Sequence, residues 1–325
     1  MRKTGVQKLA LLSIICLVVL IFAGAVVRVT GSGLGCPDWP TCWGQLIPPT
    51  NVEQVDVAYL EEALPRFQKS DERFGREPTT VPKLLESYDP LQTWIEFINR
   101  LLALPTLLAN LALMIACIRT KNLKKLGIAA FSFVIISALT GIIVVASGLH
   151  AGVVTIHMAL AFMQLFILTY ILWAGGGQGR SRPQILGANR PQVMILLVCV
   201  MLEWALGSQI RQMTDDLMRE NGVESRDTWM GQISSSWLYL IHRSFSWSIL
   251  VSALWLAWKV GWKGFVPRHV LAIVAALMVM GLILSNSGIH AVVQVLHVGI
   301  AGVLVSAVYY WWLASASSQE GGEGA

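Results

Sequence analysis

The stretch Ser147-Gly148-Leu149-His150-Ala151-Gly152-Val153-Val154-Thr155-Ile156-His157 returns 140 positions later as Ser287-Gly288-Ile289-His290-Ala291-Val292-Val293-Gln294-Val295-Leu296-His297. Each copy joins one long apolar run to the next, and Gly141 pairs with Gly281 at the same spacing. A second pair, Trp94-Ile95-Glu96-Phe97-Ile98-Asn99-Arg100 and Trp237-Leu238-Tyr239-Leu240-Ile241-His242-Arg243, repeats at a spacing of 143. Arg28 and Arg211, after the first and fifth runs, form a weaker match.

The apolar runs cover 9–27, 101–118, 126–149, 154–175, 193–210, 237–258, 270–289 and 292–313. Most reach the roughly 18 residues that cross a bilayer core as helix. Glu203 interrupts one run and His242-Arg243 another. An even number of crossings returns the chain to its starting side, so two sets of four share one orientation. The expected fold is an all-α integral membrane protein of eight transmembrane helices, arranged as two parallel four-helix-bundle repeats. Residues 1–175 form the first half, with a long polar outer loop at 29–92. A cytoplasmic linker at 176–192 leads to the second half at 193–314, and a Gly/Glu/Ser-rich tail at 315–325 is expected to be disordered. The first run reads as an anchor, because no small-residue cleavage site follows it. A short surface helix is expected at 59–64.

Composition agrees with membrane residence. Hydrophobic residues make up 55% and charged residues 13%, about half the charge of a soluble domain. Arg2, Lys3, Lys8, Arg119, Lys121, Lys124, Lys125, Arg180, Arg182, Arg190, Lys259, Lys263 and Arg268 fall on one side of the eight crossings. The other side mixes signs, with acids such as Glu53, Asp56, Glu61, Asp71, Asp215 and Asp227. The basic side is expected to be cytoplasmic, with both termini there. The net charge of +5 is thus topological, and no basic patch or motif points to nucleic acid.

Cys16, Cys117 and Cys199 fall in apolar runs and read as packing. Cys36 and Cys42 share the outer loop. An oxidising compartment there favours a disulfide over two free thiols, and a metal pair lacks a nearby histidine.

Five of the six histidines fall at or just inside the outer face: His150, His157, His242, His290 and His297. His269 lies at the opposite side and reads as interfacial. Ionisable groups in spans usually face the bundle interior. His242 and His297 come from separate helices, and His297 sits roughly 8 Å deep at 1.5 Å per residue. Two imidazoles facing an apolar interior suit the axial positions of a haem iron; interhelical hydrogen bonding is the plainer use. Arg243 and Arg211 can hold propionates at the rim. The first half departs from symmetry. His157 matches His297, but Asn99 stands where His242 stands, and Glu96 stands where Tyr239 stands. Glu96, Asn99 and Arg100 share a helix face. Glu96 reads either as a carboxyl serving a reaction beside a haem edge or as the partner of an ion pair with Arg100. For Glu203, a proton relay, a helix contact and a subunit interface all remain open.

The run Arg28-Val29-Thr30-Gly31-Ser32-Gly33-Leu34-Gly35-Cys36-Pro37-Asp38-Trp39-Pro40-Thr41-Cys42-Trp43-Gly44 resembles the haem A synthase family, which acts in cytochrome oxidase assembly. The resemblance extends through 94–100, 155–159, His242-Arg243 and His297. It implies an oxidoreductase that converts the C8 methyl group of haem O to the formyl group of haem A in a bacterial plasma membrane. It implies a haem b held by His242 and His297, and a substrate haem O with His157 as iron ligand and Glu96 as the acidic residue of a Glu-x-x-His-Arg motif. Cys36 and Cys42 match an outer-loop pair that forms a disulfide in some members. Asn99 departs from that motif and puts bis-histidine ligation of the substrate in question. Expected partners are haem O, a haem O synthase, an electron acceptor and membrane lipid, with a homo-oligomer also open to the chain. Two other classes fit parts of the pattern. A di-haem b-type quinol-oxidising subunit would use the same histidines without the Glu96 asymmetry, and a transporter with parallel repeats would hold no haem.

Overall fold

The computed structural model describes residues 3–176, 185, 190–222, 229–262, 264–286 and 290–315, the side chains of residues 219 and 230 excepted. Arg2, Arg180, Arg182, Asp227, Lys263, Ser287, Gly288, Ile289, most of the 176–192 linker and the tail past 315 lie outside the described residues.

Among the described residues, eight helices are long and apolar enough to cross a membrane. These are α1 (Gly5–Val29), α4 (Pro90–Arg119), α5 (Lys124–Ala146), α6 (Ala151–Ala174), α7 (Arg190–Asn221), α9 (Trp237–Lys259), α10 (Phe265–Asn286) and α11 (Ala291–Ala314). Three shorter helices, α2 (Val57–Arg73), α3 (Val81–Glu86) and α8 (Met230–Ser234), lie in the connections. In lipid a helix satisfies its own backbone groups, so α4 runs through Pro105 without leaving the span.

Local chemistry sets several helix ends. Thr4 caps α1 by accepting the Gln7 amide, and the Gln7 side chain accepts the Thr4 amide in return. The same two side chains donate to the carbonyls of Gly175 and Leu172, which ties the start of α1 to the end of α6. Asp89 caps α4, and Pro90 occupies its first turn. The helix therefore begins well before the apolar run at 101, and Glu96 lies inside it. Arg28 and Arg211 also lie within α1 and α7 rather than beyond them.

α1, α4, α5 and α6 pack in a ring, each against its neighbours and α6 back against α1. α7, α9, α10 and α11 pack in the same cyclic order. The rings meet where α11 touches α1 and α6. Lipid supplies no hydrophobic drive between helices, so close fit and internal polar contacts hold them. Phe22 of α1 lies on Gly299 of α11, where a Cβ would clash with the ring. Phe162 of α6 packs on Trp204 of α7 with ring centroids 4.3 Å apart and planes tilted by 49°. Within the first ring, Gln164 of α6 donates to the Asn110 side chain of α4 at 3.3 Å.

The outer loop has its own small core of Cys36, Cys42, Trp43, Val55 and Leu60, with Phe67 and Tyr88 packed against it. The expected short helix at 59–64 is longer, because Asp56 caps it and Leu60, Ala63, Phe67 and Asp71 continue one inward face through Pro65. Asp71 ends it by accepting the Thr79 amide at 2.8 Å and pairing with Arg76 at 2.8 Å.

Candidate functional site

The Cys36 and Cys42 sulfurs are bonded at 1.96 Å, with their α-carbons 4.8 Å apart. Asp38 organises the hairpin between and beyond them. Its carboxylate accepts the amides of Trp43 at 2.6 Å and Gly44 at 3.0 Å, the Tyr59 hydroxyl at 3.1 Å and the Thr41 hydroxyl. The Trp43 indole donates to the Gly35 carbonyl at 2.7 Å.

That hairpin is clamped onto α4 by Glu96 and Arg100. Glu96 is 3% exposed. One of its oxygens accepts the Cys36 amide at 2.9 Å, and the other pairs with Arg100 at 2.5 Å. Arg100 also donates to the carbonyls of Cys36 at 3.0 Å, Asp38 at 2.6 Å and Thr41 at 3.1 Å. The Glu96–Arg100 ion pair weighed from sequence is present, and it is joined to the disulfide loop.

His242 of α9 and His297 of α11 line one cavity, together with Glu203 and Arg211 of α7 and Arg243 of α9. Met158, next to His157, also reaches this cavity from the first ring. Arg243 is exposed, whereas Arg211 is buried. Arg211 pairs with Asp215 at 2.7 Å. Arg28 donates from Nε to the same carboxylate at 2.9 Å, so one acid of α7 joins the two rings.

The three inward histidines share one local arrangement. The ring of His157 lies against the Ser137 carbonyl, that of His297 against the Leu277 carbonyl and that of His242 against the Glu203 carbonyl. In each case a glycine follows four residues later on the same helix face: Gly141, Gly281 and Gly207. A Cβ at those glycines would stand 3.4, 3.9 and 3.3 Å from Cε1 of the respective ring. An added Cβ would be tight only against His242 and would make ordinary contact with the other two rings, so the glycines let each helix pack directly on an imidazole edge. Nδ1 of all three rings is buried and falls short of hydrogen-bond alignment. A fourth such glycine, Gly24, precedes Arg28 in α1 as Gly207 precedes Arg211 in α7. No atom would lie within 4 Å of its Cβ. Asn99 occupies the α4 position corresponding to His242, and its Oδ1 is buried without a partner.

His150 and His290 are exposed and stand immediately before α6 and α11, at the N-cap positions of the helices that carry His157 and His297, without a side-chain cap bond. His269 is exposed on α10 and rests on Phe265, with ring centroids 3.8 Å apart. Sequence reasoning missed Asp38, Asp215 and the tie between Glu96 and Cys36. The spacing of Glu203 four residues before Gly207, echoed by Ser137-Gly141 and Leu277-Gly281, was the available signal for its place beside His242.

Residues on α9 and α11 fit a haem iron: two imidazoles from different helices, packed on glycines, face one cavity that cationic side chains also line. Fold and site together define a polytopic membrane protein with a histidine-lined cavity between antiparallel helices.

Residues 7–309 match the COX15-CtaA family, described as cytochrome oxidase assembly protein. The chain belongs to that family. It is 26% identical to the heme A synthase of Shewanella oneidensis over 188 residues, 57% of this chain and 48% of that protein. It is 23% identical to the heme A synthase of Listeria monocytogenes over 261 residues, covering 77% and 73% of the two chains. The heme A synthase of Sphingopyxis alaskensis is 23% identical over 320 residues, 89% of this chain and 86% of that protein. The chain thus spans about half the length of the Shewanella relative and most of the other two.

Proposed function

We propose that this chain is a haem A synthase, an oxidoreductase that converts the C8 methyl group of haem O to a formyl group. The observation that carries the reading is the pairing of His242 and His297 on one cavity in a chain whose residues 7–309 match the family. The reading divides the labour between the halves, 1–175 and 193–314. In the second half His242 and His297 would hold the iron of a haem b, and Arg243 and Arg211 would meet its propionates. That group supplies electron transfer when bound. In the first half His157 is the iron ligand of the substrate haem O. Asn99, which stands where the second half has His242, is a poor iron ligand, so this half offers His157 without a matching second imidazole.

Glu96 is the acidic residue of the reaction half, and Arg100 holds it in place. Its carboxylate is buried and already bound to two donors, so it can stabilise positive character at a neighbouring carbon or accept a proton once one of those bonds loosens. The reaction is a net oxidation, and its electrons leave to an acceptor outside this chain, such as a quinone or a ferredoxin-like carrier. A haem O synthase delivers the substrate, whose apolar tail partitions into the same lipid. The charge pattern supports cytoplasmic termini in a bacterial plasma membrane, with the disulfide loop outside.

Extraction of the haems from purified protein tests the reading against a di-haem electron carrier. A synthase yields haem b together with haem O or haem A. Two b-type haems at fixed stoichiometry, with neither haem O nor haem A, would overturn it.

A further inference from the structure

Glu203 is a carboxyl inside an apolar span, where an ionisable group is costly and needs a reason. Its Oε1 lies 3.1 Å from Nδ1 of His242. Its Oε2 is buried with no hydrogen-bond partner, and the side chain lines the cavity shared by His242 and His297. The other two inward histidines have only a main-chain carbonyl at this place, from Ser137 and Leu277. In α1, four residues before Gly24, the chain carries Leu20. One histidine of the three thus has a carboxyl oxygen within 3.1 Å of Nδ1 in addition to a main-chain carbonyl, close enough that a small rotation of the side chain aligns the bond that the present orientation misses.

We propose that Glu203 is a positioning residue for the haem b of the second half: its carboxyl oxygen accepts the Nδ1 proton of His242, leaves Nε2 as the free donor toward the iron, and biases that iron toward its ferric state. The inference rests on the assignment of His242 and His297 as axial ligands. The physical basis is general. A carboxylate on the far nitrogen of a ligating imidazole fixes its tautomer and raises its basicity, and hydrogen bonding to an axial ligand is one of the levers that set a haem potential. A more basic imidazole stabilises the more highly charged ferric iron. An iron biased toward its ferric state gives up its electron more readily, so the carboxyl at His242 favours passing electrons onward.

The test is a redox titration of the purified full-length protein, with His242→Ala as the control that identifies the second-half haem. Glu203→Gln is expected to retain haem b and shift the ferric-to-ferrous affinity ratio about tenfold toward ferrous, which is a rise of ~59 mV for a one-electron couple. Glu203→Asp is expected to return most of that shift, and Glu203→Leu to show at least the full shift. Selective loss of this haem in Glu203→Gln, regained in Glu203→Asp, also supports the role, because it shows that the carboxylate holds the ligand. An unchanged potential in Glu203→Gln or Glu203→Leu, in a haem that His242→Ala removes, overturns the inference alone. A bis-histidine spectrum that survives His242→Ala overturns the axial assignment and the inference with it.

Discussion

The carboxylate of Glu96 accepts the main-chain amide of Cys36 at 2.9 Å, so the acid of the first ring and the disulfide of the outer loop form one unit. Arg100 completes that unit by bonding Glu96 and three loop carbonyls at once. The loop acts as the lid that sets the position and the surroundings of a buried carboxyl. In the proposed reaction the Cys36–Cys42 disulfide would act through this contact with Glu96.

The first expectation concerns the disulfide. Replacing both Cys36 and Cys42 by Ser removes the cross-link that keeps the Cys36 amide over Glu96. Haem A formation should fall while the haem bound by His242 and His297 keeps its spectrum. Chromatography of extracted haems and the visible spectrum measure the two effects. Loss of both together would show that the loop supports the whole fold rather than the Glu96 side.

The second concerns the ion pair itself. Arg100→Ala leaves the Glu96 charge buried without its partner, a change that costs about 3–5 kcal/mol. Glu96→Gln keeps the shape and removes the charge, so it should cost less stability while still abolishing most haem A formation. Melting curves of the detergent-solubilised variants, set beside haem A yields, separate structure from chemistry. Undiminished haem A in Glu96→Gln contradicts the role of this carboxyl.

The third concerns Asn99, whose Oδ1 is buried without a partner. Asn99→His should place an imidazole where His242 stands in the other ring. The expected result is a shift of the substrate-loaded protein toward a low-spin, bis-histidine spectrum. An identical low-spin spectrum before and after substitution would show that the sixth position is already filled.

The fourth concerns Asp215, which binds Arg28 of one ring and Arg211 of the other. Asp215→Ala leaves two cations facing each other in a partly buried site. A loss of about 3–5 kcal/mol is expected, read as a lower melting temperature. Asp215→Glu should recover part of it, and unchanged melting in Asp215→Ala would mean that the rings are held by apolar contacts alone.

Eight crossings and the inward histidines were legible because both are properties of local sequence: long apolar runs, and identities recurring at spacings of 140 and 143. The ends of the helices were less so. Arg28 and Arg211 look like loop residues from hydropathy, yet both lie within helices, where Asp215, 187 positions from Arg28, pairs with them. The clamp of Glu96 on Cys36 joins residues 60 positions apart through a main-chain amide, which carries no side-chain signature. Asp38 likewise serves backbone groups of its own hairpin. Asn99 and Glu96 were conspicuous in the sequence as breaks in a repeat, but what surrounds them depends on the loop fold.

The most direct test of the central claim is co-expression of the intact chain with a haem O synthase, followed by chromatography of the extracted haems. The account predicts haem A in cells that carry both proteins and only haem O in cells that carry the synthase of haem O alone. Haem O accumulating unchanged in the presence of the intact, membrane-inserted chain would contradict it.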